Sequence, residues 1–229
     1  MSTFYTEREW SELTHAYGSA EDVPALLAQL NSPDEQAREA ACSELFGNIW
    51  HQGTVYPATV KALPHLIALF RSPDCIDRNL VAILLASIAD GDGYYHVHSR
   101  LESLRDSFEK SLAGRGSSIA KEIEKESDYL KVIREMSLEV LPLLEPFLDS
   151  PDWCTREAVV GALRRYAGHI PHICSRLQER LSVETHEDVR HRIEEALAEI
   201  GQAHSAAPNG GPATRSTSSG AAEGPPSAS

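Results

Sequence analysis

The stretch VPALLAQLNSPDEQAREAA, residues 23–41, decides how this chain folds. It recurs as LPHLIALFRSPDCIDRNLV from Leu63 and as LPLLEPFLDSPDWCTREAV from Leu141. In each copy a first proline (Pro24, Pro64, Pro142) stands nine residues before a second (Pro33, Pro73, Pro151). Apolar residues at helical spacing lie between them, and an arginine (Arg38, Arg78, Arg156) follows the Ser-Pro-Asp step. Physically, this describes a helix, a short turn and a second helix. Ser32, Ser72 and Ser150 are placed to accept bonds from the free N–H groups of the second helix. The proline after each serine then takes the first helical position, where its missing N–H costs nothing. The next aspartate lies in the first turn, favoured by the helix dipole, and Glu35 completes a capping box with Ser32. A weaker fourth copy carries Thr185, Glu187, Asp188 and Arg190.

The first prolines lie 40 residues apart and then 78, nearly two periods. Helical pairs repeating at this interval build an α-solenoid. On these residues the chain resembles the HEAT-repeat family, bacterial repeats of the bilin-lyase type included. Asp34, Arg38, Ala41 and Leu45 match the family's second helix, as do Asp152, Arg156, Val159 and Leu163, and Val189, Arg190, Ile193 and Leu197. Ala37, Asp77 and Thr155 depart from it where the family has valine. The resemblance spans about residues 20–202 and implies an all-α, right-handed α-solenoid of about four to five HEAT-like pairs. It implies binding rather than chemistry, since such modules are mostly scaffolds.

The solenoid is expected over residues 1–202. Residues 1–18 read as an N-terminal capping helix, with a Thr6/Glu9 capping box and an apolar stripe of Trp10, Leu13 and Tyr17. The helix around Leu80–Ile88 is almost wholly apolar, which puts it at the centre of the stack. Residues 97–136 lose the repeat pattern and read as a diverged repeat or an inserted helical pair. From residue 203 to 229 only Ala, Gly, Pro, Ser, Thr and a few polar residues remain. Such a tail cannot bury enough surface to offset its ordering entropy, so it is expected to be disordered.

The formal charge of −13, from 21 basic and 34 acidic side chains, argues against nucleic acid as a partner. No apolar run reaches the roughly 20 residues that cross a bilayer, and no signal peptide is evident. Cys42, Cys75, Cys154 and Cys174 show no paired spacing, so free thiols in the cytoplasm are expected.

Two surfaces could carry function. The first is the face of the second helices, where helical phase exposes Glu35, Glu39, Phe46, Trp153 and Glu157. Trp153 is placed either to anchor a partner or to pack back onto the next repeat. The second is the edge formed by the junction loops, carrying His51, Tyr56, Asp92, His96, His98 and His169. Imidazoles beside carboxylates can bind metal or exchange protons. However, no HExxH, paired CxxC, nucleophile elbow or phosphate loop occurs. No catalytic residue, metal or cofactor is therefore assigned. The leading expectation is a non-enzymatic adaptor for another protein, a basic one on charge grounds, an inhibitor or immunity-type binder being one version. The alternative is an enzyme or a small-ligand or metal-binding protein, bilin-lyase-like, using the histidine edge.

Overall fold

The computed structural model describes residues 7–206, with side chains from 9 to 203. Helix α1 (Glu7–Ser11) leads into a hairpin of β1 (Thr14–His15) and β2 (Gly18–Ser19). The first helical pair is α2 (Val23–Gln29) and α3 (Glu35–Asn48). Strands β3 (Trp50–His51) and β4 (Thr54–Val55) connect it to the second pair, α4 (Pro57–Arg71) and α5 (Arg78–Asp90). Then come β5 (Asp92–Gly93), α6 (Tyr94–His98), α7 (Glu102–Ala113) and α8 (Ile119–Leu138). A third pair joins α9 (Leu141–Leu144), continued by a 3-10 segment to Asp149, with α10 (Trp153–Arg165). After a 3-10 turn at Ala167–His169, the last pair is α11 (Ile173–Val183) and α12 (Glu187–Ala206).

The second helices form one row: α3 packs on α5, α5 on α10 and α10 on α12. Leu45, Leu85 and Leu163 are buried in that row, and Leu197 is partly buried against it. Along α5, Val81, Ala82, Leu84, Leu85, Ala86, Ile88 and Ala89 are all buried, as its composition requires. Because α10 lies directly against α5, helices α6–α8 stand outside the row. Helix α8 instead crosses α4 and α5.

The repeated phrase does form helix–turn–helix, but its capping differs from the expectation. Ser32, Ser72 and Ser150 each accept the N–H of an aspartate two residues on (Asp34, Asp74, Asp152; 3.1 Å each). That bond closes a turn in which the second proline sits, and capping passes to Asp34, Asp77 and Asp152. Asp34 is extended, with φ −79° and ψ 117°, and accepts the Gln36 N–H. The expected capping box at Ser32 and Glu35 is not formed, since Glu35 is already the first helical residue. Pro64 likewise lies inside α4, which begins seven residues earlier at Pro57. In the third copy Pro146 removes an N–H from the first helix, which tightens into 3-10 geometry from Glu145.

The recurring arginine reaches back over its own turn. Arg38 Nη1 donates to the carbonyls of Ser32 (2.8 Å) and Pro33 (3.2 Å). Arg156 repeats this at Ser150 (2.8 Å) and Pro151 (3.1 Å). Arg78 binds the Phe70 and Ser72 carbonyls, and Arg190 those of Leu181 and Glu184. Each thereby satisfies carbonyls at or just beyond the end of the first helix, which no intrahelical N–H reaches.

The fold is mostly helical, as expected, and β3, β4 and β5 add a small mixed sheet at the junction edge. Two expectations need correction. Residues 1–18 are not one capping helix: α1 stops at Ser11, the hairpin follows, and Tyr17 is 69% exposed while Trp10 is buried. The Thr6 cap lies outside the described residues. The tail expected from residue 203 starts within α12, which runs to Ala206, and its remainder lies outside the described residues.

Candidate binding face and the polar edge

Glu35 and Glu39 are exposed on α3, and Glu157 is half-buried on α10. Phe46 is half-buried, edge-on to Trp50 with ring centroids 5.4 Å apart. Trp153 is 39% exposed and lies flat on the His186 imidazole, 4.1 Å between centroids and 7° between planes. It is thus held by the following pair and still open to solvent. Ile76 beside α5 is 53% exposed, and Leu80 and Ile83 are half-buried nearby along the helix.

The charges on this face divide sharply. Arg38, Arg78, Arg156 and Arg190 donate to turn carbonyls, as described. Arg164, Arg165 and Arg192 converge on Asp90 at the end of α5: Arg192 Nη2 donates to Oδ2 (2.8 Å), while Arg164 Nη2 (3.1 Å) and Arg165 Nε (3.2 Å) donate to Oδ1. Arg165 also binds the Asp90 carbonyl at 2.7 Å. All seven arginines of the second helices are therefore committed inside the protein, and those helices contain no lysine. By contrast, Glu35, Glu39, Glu157 and Glu187 make no ion pair among the described residues. These four carboxylates remain open to a cation beside an apolar floor.

Between Trp50 on one side and Glu157 and Arg192 on the other lies a cleft of about 270 Å³, floored by α5. Ile83, Ser87, Asp90, Cys154 and Ala158 complete much of its wall. Sequence reasoning did not find Trp50, Ile83 or His186. Trp50 lies in β3, just past the end of α3, where helical phase no longer says which way a side chain points.

On the polar edge the residues meet in smaller groups. The Gln52-Gly53 turn, with φ of 50° and 86°, folds β3 onto β4. Strand β4 then pairs with β5 in parallel, Thr54 opposite Asp92. Tyr56 bonds Thr54 at 2.7 Å, and His51 faces the Tyr17 hydroxyl at 3.4 Å. Arg100 donates to His96 Nε2 at 2.6 Å, which requires that nitrogen to be unprotonated, and Asp92 lies 3.9 Å from it. His98 donates from Nδ1 to the Tyr94 carbonyl and stacks on its ring. His169 is exposed at the end of its 3-10 turn, beside Lys131 and Arg134. His51 thus partners Tyr17 rather than the His96 and His98 pair.

The acid at the centre of this edge is Glu126 of α8, which the sequence did not single out. It is 4% exposed and accepts the N–H groups of Tyr95 (2.7 Å) and His96 (2.9 Å), capping α6. Burial pushes its carboxyl above the usual range, against the pull of those two N–H bonds. Gly93 is required beneath it, since a Cβ there would run into the Glu126 side chain. No group of three or more His, Cys, Asp or Glu side chains could hold a metal ion among the described residues. Cys42 Sγ points at the Leu80 carbonyl (3.8 Å), and burial pushes its thiol up to about 12, far from a reactive thiolate. No described helix is long and apolar enough to cross a membrane.

No protein-family model matches the chain, and no curated protein does. Among solved structures, it is similar to a designed armadillo repeat protein at 17% identity, covering 78% of this chain and 99% of that one. The TM-score is 0.23, too low to carry an argument.

Proposed function

We propose that this chain is a non-enzymatic, cytoplasmic protein-binding scaffold: a right-handed α-solenoid of four to five HEAT-like pairs whose second-helix face takes a basic partner. One observation carries the reading. Every arginine on that face is used internally, while Glu35, Glu39, Glu157 and Glu187 have no counter-ion among the described residues. Unpaired carboxylates around Phe46, Trp153 and the α5 floor complement a cationic surface and would speed its encounter. A stacked scaffold also loses little ordering entropy on binding. An inhibitor or immunity-type protein against a basic toxin is one member of this class. The histidine-edge alternative draws less support, because His51, His96 and His98 are each engaged by a different neighbour.

The test is affinity capture with the purified chain, comparing wild type with the Glu39→Lys/Glu157→Lys double variant. Capture of a basic protein should weaken with added salt, as screening requires, and disappear in the charge-reversed variant. Capture indifferent to both salt and charge reversal sinks the proposal.

A further inference from the structure

We infer that the cleft between Trp50 and Glu157 is a socket for one cationic side chain, arginine or lysine, of the bound partner. This rests on the scaffold reading and makes it specific. The walls provide what such a side chain needs. Trp50, Ile83 and Ala158 offer aromatic and aliphatic surface for a long methylene stem. Glu157 lines the same space and has no ion-pair partner among the described residues. The other charges of the wall, Asp90 and Arg192, are bonded to each other at 2.8 Å, and the two further arginines on Asp90, Arg164 and Arg165, are offset by Glu199 and Asp92. The lining therefore carries one uncompensated negative charge, and an incoming cation matches it. An arginine would add a planar face for Trp50 and two parallel donors for the Glu157 carboxylate. A volume of about 270 Å³ admits one such side chain rather than a cofactor-sized ligand.

The probes are Nα-acetyl-arginine methylamide, its lysine counterpart and the uncharged citrulline analogue. Each is titrated into the full-length protein while the Trp50 indole N–H resonance, assigned by Trp50→Phe, is followed. The cationic probes should shift that resonance with affinity in the millimolar range, and citrulline should bind about tenfold more weakly, the cost of one charge-assisted pair. Glu157→Gln should remove the preference, and Ala158→Met should block all three probes with the melting temperature unchanged. No shift at probe concentrations of about 50 mM, equal shifts with citrulline, or a preference that survives Glu157→Gln would each overturn the socket. Partner capture separates the two ideas. If capture persists in Glu157→Gln and Ala158→Met but is lost on charge reversal, the socket fails and the scaffold stands. If charge reversal also leaves capture intact, the scaffold reading fails by itself.

Discussion

Arg156 shows how one side chain can hold two helical pairs together. Nη1 binds its own turn, while Nε and Nη2 form a bidentate pair with Glu184 of the last pair at 2.7 and 2.8 Å. Both residues are buried, at 7% and 4% exposure. Burial pushes the Glu184 carboxyl up, but bonds from Arg156, the His186 N–H and Arg180 outweigh this and hold it at about 2. Removing one partner strands the other, so Arg156→Ala should cost roughly 3–5 kcal/mol in denaturant unfolding. The sign of the pH effect follows from a depressed carboxyl. Its contribution is complete above the ordinary value of 4.5 and is lost as pH falls from there towards about 2. The stability gap between wild type and Glu184→Gln should therefore be widest above pH 5 or so and close across that window. A gap independent of pH would show that the ionised pair does not matter.

At the scale of the element, the turn chemistry predicts which residue of the Ser-Pro-Asp step matters most. Asp34 is the cap of α3, and Ser32 supports only the turn before it. Asp34→Ala should cost about 1 kcal/mol and Ser32→Ala less, by thermal or urea unfolding. The reverse order would restore the serine as the cap. Helix α6 depends on a residue from far along the chain. Five residues long, it starts at Tyr94, and Glu126 of α8 accepts its first N–H groups. Glu126→Ala would strand those donors at a cost of about 1–3 kcal/mol. Hydrogen exchange should then show faster exchange at residues 94–98 while α10 stays protected.

At the scale of the molecule, Asp90 is the point where three pairs meet. It ends α5 and receives arginines from α10 and α12. Helix α10 approaches so closely that a Cβ at Gly161 would lie 2.5 Å from Asp90 Oδ2. Asp90→Ala would leave Arg164, Arg165 and Arg192 without their shared anion. The expected result is a loss of about 3 kcal/mol and a looser C-terminal pair, read as earlier proteolysis within residues 167–206. Gly161→Ala should act in the same direction by displacing the carboxylate. Trp153→Ala should weaken partner capture while costing less than about 1.5 kcal/mol of stability, because the ring is held by a surface stack on His186 rather than by the core. A large stability loss with capture intact would make Trp153 a packing residue.

Periodicity alone was enough to place the paired helices and the apolar α5, because a side chain buried at every third or fourth position leaves that spacing in the chain. The same phase put Glu35, Glu39, Glu157 and Trp153 on the outer side of their helices, since directions within a helix follow from a fixed rotation per residue. It could not say that aspartate rather than serine caps the second helices, because both side chains offer an oxygen and only the turn geometry chooses. Nor could it say whether residues 97–136 add a layer to the stack. That was decided when α10 packed on α5, a contact between helices 63 residues apart at their nearest ends. The Asp90 cluster, the Glu126 cap and the β3–β4–β5 sheet were hidden for the same reason. Each joins residues far apart in the chain, and local spacing carries no record of which distant partner a charge or a strand will meet.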